Sequence, residues 1–270
     1  MSGMSGVSTA AVTRSVTTTP AGRMGALARA ELTLLGRAKG TLFAALFVPL
    51  VMPFSLRQVA DGMDLKANGL SVGAVVVPGA IGISLLFAVY SALTTVFAAR
   101  REELVLKRLR TGELRDPEIL AGAALPSVAI GLTQCVVLAV GCGLLLDAGA
   151  PSAPHLAVVG VLLGLVMCTA IAAVTGSFSR SVESAQVMAM PLTFVSMFGS
   201  GLFVPFEVMP DKLASVCELL PLSPVITLVR GGWTGELSGT ETLGALATAV
   251  AWTVVSVFAV RRWFRWEPRR

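Results

Sequence analysis

Six long runs of uncharged, mainly apolar residues limit what this chain can fold into. They lie at 41–56, 72–99, 119–146, 156–174, 185–204 and 243–260. A helix of about 20 apolar residues crosses the roughly 30 Å hydrocarbon core of a bilayer. Backbone groups in lipid must be satisfied within the spanning segment, and the alternating polar residues of a barrel strand are absent. The runs therefore predict an all-α polytopic membrane protein with six transmembrane helices.

One membrane domain accounts for almost the whole sequence. The composition is 54% hydrophobic and 14% charged, which is far from that of an average soluble chain. We expect this domain at 23–262, between a disordered cytoplasmic tail at 1–22 and a short cytoplasmic tail at 263–270. The run 41–56 is the shortest and contains two prolines, but the long side chain of Arg57 can reach the interface from its end.

The basic residues predict the orientation of the chain. Loops rich in Lys and Arg stay on the cytoplasmic side of a membrane. Six spans place all but four of the 21 Lys and Arg residues on one side, and the exceptions are Arg57, Lys66, Lys212 and Arg230. Both termini are therefore expected in the cytoplasm. The basic residues lie between apolar runs and form no compact basic domain, so a nucleic-acid partner is not expected.

Residues 24–37 predict an amphipathic helix that lies in the membrane interface. Apolar side chains recur at helical spacing on one arc, and Arg29 and Arg37 lie opposite. Glu31 falls on the apolar arc and has no basic residue three or four positions away. Its carboxylate either reaches the headgroup water or pairs elsewhere, and a basic residue of the loop 100–118 is one candidate.

The charged loop 100–118 has the pattern of a helix, a turn and a second helix. Glu103 precedes Lys107 by four residues, which is a favourable helical pair, and Gly112 is a plausible stop. Asp116 as the cap and Pro117 at the first helical position would begin the next helix.

The segment 205–242 is too structured for a simple external loop. Asp211 can cap a short helix, and the apolar stretch 225–229 is too short to span, so it predicts a re-entrant or interfacial element. Gly231 and Gly232 are expected to end that element.

Most catalytic chemistry is absent from the sequence. The only histidine is His155, and no P-loop motif G-x-x-x-x-G-K-[ST] occurs, so no nucleotide, metal or other cofactor is expected on this chain. The spans carry almost no ionisable groups, whereas ion-coupled carriers ordinarily need them. A transporter of this composition would take its energy from a partner.

Mild polar and adaptable apolar side chains lie inside the predicted spans. Helix packing explains most of them. The alternative is a weakly polar pathway for an amphipathic or lipid-like substrate, whose candidate residues are Phe87, Gln134, Thr193, Phe194 and Met197.

Three stretches resemble the permease subunits of type 2 ATP-binding-cassette (ABC) exporters, especially actinobacterial antibiotic and drug exporters. They are ARAELTLLGR at 28–37, REELVLKRLRT at 101–111, and GSGLFVPFEVMPD at 199–211 with LLPLSP at 219–224 and VRG at 229–231. The resemblance implies a plasma-membrane dimer of six-helix domains, each seated on a cytoplasmic ATPase subunit that binds the ATP. It places a coupling helix at 101–110, with contact residues Glu102, Glu103, Leu106, Arg108, Leu109 and Arg110.

The function expected from this resemblance is ATP-driven export of an amphipathic substrate by a permease subunit that has no ATPase site of its own. A drug, an antibiotic, a lipid-linked glycan and a peptide remain open as the substrate. The alternatives are a passive assembly or immunity protein without ATPase coupling and a membrane-embedded enzyme of lipid metabolism. The enzyme would need clustered Asp or His residues near an interface, and none is visible.

Overall fold

A computed structural model describes residues 71–106, 115–145 and 149–264, together with 53–58 and the single positions 22, 25, 29, 33, 47, 51 and 62. Within this part of the chain the regular elements are helices, as the apolar runs predict. Of the expected interfacial helix 24–37, only Gly25, Arg29 and Thr33 are described, and each is helical. Glu31, the tail 1–22 except Gly22, and most of the run 41–56 lie outside the described residues.

Four described helices are long and apolar enough to cross a membrane. They are α1 (Val72–Glu102), α2 (Asp116–Leu145), α3 (Pro154–Phe178) and α7 (Gly239–Trp263). Each coincides with a run identified in the sequence, and the charged residues at their ends fall at the limits of those runs. The predicted spans at 72–99, 119–146, 156–174 and 243–260 are therefore confirmed as helices of sufficient length.

Helix α4 (Val182–Gly199) occupies the predicted span 185–204 but ends before that run does. The chain leaves the helix at Ser200 and passes through Gly201, whose φ of 74° is in the left-handed region that glycine adopts without steric cost. The predicted end at 204 is wrong because apolar composition does not reveal this turn. Helix α4 is shorter than the other four and is not among the candidate spans.

Helix α1 is the most deeply buried of these helices and changes its hydrogen-bond pattern midway. Residues Leu85–Ser91 form a π-helix between two α-helical stretches. Five of those seven side chains are buried, so the irregular segment lies inside the protein. Segments of π-helix within α-helices are frequent at functional sites.

Helix α3 lies at the centre of the bundle and packs against α1, α2, α4 and α7. Its glycines allow close approach: a Cβ at Gly164 would lie 2.7 Å from Leu85 Cδ1, and one at Gly176 would lie 3.0 Å from the Thr94 carbonyl oxygen. Gly160 precedes Gly164 by four residues, as in the small-x-x-x-small pattern of packed membrane helices. These contacts hold α3 against α1.

The segment between α4 and α7 folds back into the bundle. It contains a 3₁₀ turn (Phe206–Val208), the short helix α5 (Asp211–Cys217) and helix α6 (Ser223–Thr234). The predicted short helix is confirmed, but Asp211 is its first residue and not its cap, because Pro210 occupies the cap position. With 12 residues, α6 is about 18 Å long and cannot cross a bilayer, yet it is buried against α1 and α3. It is therefore a short buried helix and not a span.

The predicted end of α6 at Gly231 and Gly232 is wrong. The helix continues to Thr234 and ends at Gly235, whose φ is 75°. The two earlier glycines serve packing, because a Cβ at Gly232 would lie 2.5 Å from the Ala157 backbone nitrogen and one at Gly231 would lie 2.7 Å from Leu237.

Candidate coupling site and membrane pathway

The end of α1 is bound to the end of α3 through Arg101. This side chain is 1% exposed, and its guanidinium donates to the carbonyl oxygens of Ser177, at 2.5 Å, and of Ser179. Ser179 is the C-cap of α3. The last carbonyls of a helix have no partner within it, and a cation near the helix C-terminus is favourable. Arg101 therefore satisfies the end of α3 from the neighbouring helix.

The next residue, Glu102, binds the start of α4. One of its carboxylate oxygens accepts a hydrogen bond at 3.3 Å from the backbone N–H of Val182, the first residue of α4. The N-terminus of a helix carries a partial positive charge that favours an anion. Arg101 and Glu102 thus contact both ends of the turn between α3 and α4, each with the sign that its helix end favours. We call this arrangement the α1 clamp.

The chain turns sharply just after the α1 clamp. Glu103 is the C-cap of α1, and Leu104 has a φ of 59°, which is rare for a residue with a branched side chain. Val105 and Leu106 are helical again, and Leu106 is fully buried. The predicted continuous helix over 101–110 is therefore wrong at its start, because Arg101 and Glu102 belong to α1.

Of the two carboxylates predicted at the coupling surface, Glu102 has a hydrogen-bond partner on another helix. Glu102 and Glu103 are both exposed, but Glu102 already binds within the chain. The other predicted contact residues lie outside the described residues: Arg108, Leu109 and Arg110. The same is true of Lys107 and Gly112.

The start of α2 differs from its prediction by one position. The helix begins at Asp116, and the preceding Arg115 provides the cap position, since its backbone N–H donates to Glu118 Oε2 at 2.9 Å. Pro117 is consequently the second helical residue and not the first. A proline is tolerated there because the N–H groups of the first turn have no partner within the helix.

The predicted pathway residues do not form one group. Gln134 on α2 is 1% exposed, and its amide oxygen accepts a hydrogen bond from the Ser84 hydroxyl at 2.8 Å. This contact joins α2 to α1, as the helix-packing interpretation expects. Thr193 on α4 is also buried, and its hydroxyl lies 3.3 Å from that of Ser91 on α1.

Aromatic residues of α4 form an exposed apolar surface. Phe194 and Phe198 stack with their ring centroids 6.5 Å apart, and Phe203 stacks on Phe198 at 5.9 Å. Phe194 is 52% exposed, Phe87 on α1 is also exposed, and Met197 is half-buried. Phe194 and Phe198 on α4, together with Phe203 in the turn after it, are hereafter the aromatic face of α4.

A second buried arginine holds helix α6 in place. Arg230 on α6 donates from Nε to the Ala74 carbonyl oxygen at 3.2 Å and from a terminal nitrogen to that of Gly201 at 2.8 Å. Its side chain therefore joins α6 to the start of α1 and to the turn after α4. In the sequence, Arg230 was interpreted only as one of the four basic residues on the side opposite the cytoplasm. Its position beside a short apolar run was the available signal, because a charge in such a place needs buried partners.

The described residues contain no group of His, Cys, Asp and Glu side chains that could hold a metal ion. The four cysteines are free and buried. His155 is exposed at the second position of α3. The charged side chains of this site connect the ends of different helices, so that movement of one helix would be passed to its neighbours.

Comparison with known families agrees with this architecture. The family model described as ABC-2 type transporter matches residues 23–233, which is most of the chain. No curated protein matches the chain at a significant level. The match ends one residue before the end of α6, and it includes the α1 clamp. The chain therefore belongs to the ABC-2 type transporter family and is a membrane permease component of an ABC transporter.

Proposed function

We propose that the chain is the permease subunit of an ATP-driven exporter in the plasma membrane, with both termini in the cytoplasm. A separate ATPase dimer binds and hydrolyses the ATP, and the permease moves an amphipathic substrate, such as a drug, an antibiotic or a lipid-like molecule, out of the cell. Family membership supports a partner ATPase. The observation that carries the coupling proposal is the α1 clamp, directly before the charged segment at 103–110.

The α1 clamp explains how a push on this segment would reach the pathway. The contact surface comprises Glu103, Arg108 and Arg110, and Leu106 anchors the segment by its burial. A push that displaces the segment also displaces the end of α1. Because Arg101 and Glu102 bind the α3–α4 turn, α1 and the ends of α3 and α4 move together. The left-handed backbone at Leu104 marks the point where the segment pivots against α1.

The aromatic face of α4 supports assembly with a second copy of the chain. Two copies that meet along α4 would enclose Phe194 and Met197 at their interface, and Phe87 on α1 is a further exposed aromatic residue. Thr193 is left out of this pathway, because it is buried and its hydroxyl lies against that of Ser91. The exposed aromatic rings and the half-buried methionine offer apolar, adaptable contacts to an amphipathic substrate. Gln134 is no longer part of this pathway, because it is already bound to Ser84 on α2's side of α1.

The test is a pull-down of the tagged protein from native membranes. The parent is compared with Glu103→Lys/Arg108→Glu, and the matched control is Glu236→Lys/Lys212→Glu. The control reverses one acid and one base among the exposed residues of the external segment. We expect a P-loop ATPase with the parent and the control but not with the coupling variant.

Each other outcome contradicts a defined part of the proposal. Recovery of the ATPase with all three proteins would show that the coupling contact does not lie at 103–110. Recovery with none, in a detergent that preserves known transporter complexes, would favour the passive assembly or immunity protein.

A further inference from the structure

A groove on the outside of the bundle is lined by two residues of opposite charge. It lies between α2, α3 and α7, has a volume of about 720 Å³, and is lined mainly by apolar side chains that include Leu120, Val128, Val166 and Val257. This volume is within the usual range for small-molecule sites. Val166 is 52% exposed on the groove wall, so the groove opens toward the surrounding hydrocarbon.

The charged pair lies where the helices enter and leave the membrane. Asp116 is in the first turn of α2, and Arg261 is in the last turn of α7, and both line the groove. Trp263 follows on α7, is 55% exposed, and contacts Phe258 edge-on. Tryptophan is enriched at the boundary between the hydrocarbon and the headgroups. The pair is therefore at headgroup level, and the apolar groove runs from it into the hydrocarbon.

We propose that this groove binds one phospholipid whose headgroup carries a phosphate and a primary amine. An acyl chain occupies the apolar groove, Arg261 donates to the phosphate, and the ammonium group donates to the Asp116 carboxylate. Guanidinium and phosphate match in geometry and charge. A carboxylate in the same groove disfavours a headgroup that is only anionic, and a quaternary ammonium has no N–H to donate. The charges therefore select an aminophospholipid.

The headgroup part of the proposal is tested by native mass spectrometry of the full chain. Phosphatidylethanolamine, phosphatidylglycerol and phosphatidylcholine with identical acyl chains compete for the protein. We expect the ethanolamine lipid to be retained about tenfold over either rival, as one charge-assisted hydrogen bond allows. Arg261→Gln should lower retention about tenfold, and Asp116→Asn should remove the preference over phosphatidylglycerol.

Arg262→Gln is the matched control, because Arg262 is the neighbouring exposed cation and does not line the groove. Arg261→Lys keeps the charge and should bind at an intermediate level, which provides a second variant if the glutamine substitution impairs folding. Equal retention of the three lipids by the parent, or equal losses from Arg261→Gln and Arg262→Gln, would overturn the headgroup assignment.

The acyl-chain part is tested by filling the groove. Val166→Trp should lower retention of all three lipids, because the indole would occupy the space of the chain. Leu162→Trp is its control, since Leu162 lies one turn away on α3, is 50% exposed, and lines a different surface. Equal retention by these two variants would show that no chain occupies this groove.

Discussion

Replacement of Arg101 by methionine tests whether the α1 clamp joins the helices as inferred. The change removes two charge-assisted hydrogen bonds and leaves the carbonyls of Ser177 and Ser179 without this donor. Each bond to a charged group contributes about 1.5–3 kcal/mol when water cannot replace it. Ser177 is 2% exposed and Ser179 is fully buried, so water has little access. We expect the free energy of unfolding to fall by about 3 kcal/mol, and by about half of that for Arg101→Lys.

The assay combines equilibrium unfolding in detergent with transport in liposomes that contain the assembled transporter. Arg180→Met is the control, because Arg180 lies in the same α3–α4 turn but is exposed, and its loss should change stability by less than about 0.5 kcal/mol. Arg101→Met should also lower transport more than ATPase activity, since α3 would no longer follow α1. Equal stabilities of the methionine variants at 101 and 180 would refute the energetic argument. Transport that falls only in proportion to ATPase activity would refute the mechanical one.

Three further substitutions test the contacts that position the helices. Gly232→Ala should lower the free energy of unfolding by about 1–3 kcal/mol, because its Cβ would meet the Ala157 backbone. Gly141→Ala is the control and should not destabilise the protein, because a Cβ there would meet no neighbouring atom. Chemical unfolding measures both variants. A double-mutant cycle with Ser84→Ala and Gln134→Leu should give a coupling of about 0.6–1.7 kcal/mol, and additive effects would argue against their hydrogen bond. Arg230→Gln should release α6 and speed limited proteolysis after it; unchanged cleavage would contradict its anchoring role.

The long helices were predictable because their physical cause is local. Uncharged apolar composition over about 20 residues determines that a segment spans, and charged residues mark where it stops. This held for α1, α2, α3 and α7. It failed at the end of α4, where apolar residues continue to 204 but Gly201 permits a turn and a left-handed backbone. Composition does not distinguish a residue in a span from one in a buried turn.

Helix packing was only partly visible in the sequence. The pair Gly160 and Gly164 carries the small-x-x-x-small pattern, so α3 could have been identified as a closely packed helix. The partners of these glycines come from α1 and from α6, and no local pattern specifies them. Gly231 and Gly232 were likewise misinterpreted. Glycine often ends helices, but these two lie inside α6 because distant residues pack closely against them.

The largest error concerned the coupling segment, and its cause shows why the site itself needed the structure. The local sequence at 101–110 favours a continuous helix, since Glu103 precedes Lys107 by four residues and leucines are interleaved among the charges. Arg101, however, belongs to the last turn of α1, and its bonds to carbonyls 76 and 78 residues away in sequence hold that helix end against α3. Leu106 is buried, and the chain reaches it only through the left-handed turn at Leu104. A basic residue that counted as an orientation signal is therefore also a structural connection between helices, and only its distant partners distinguish the two roles.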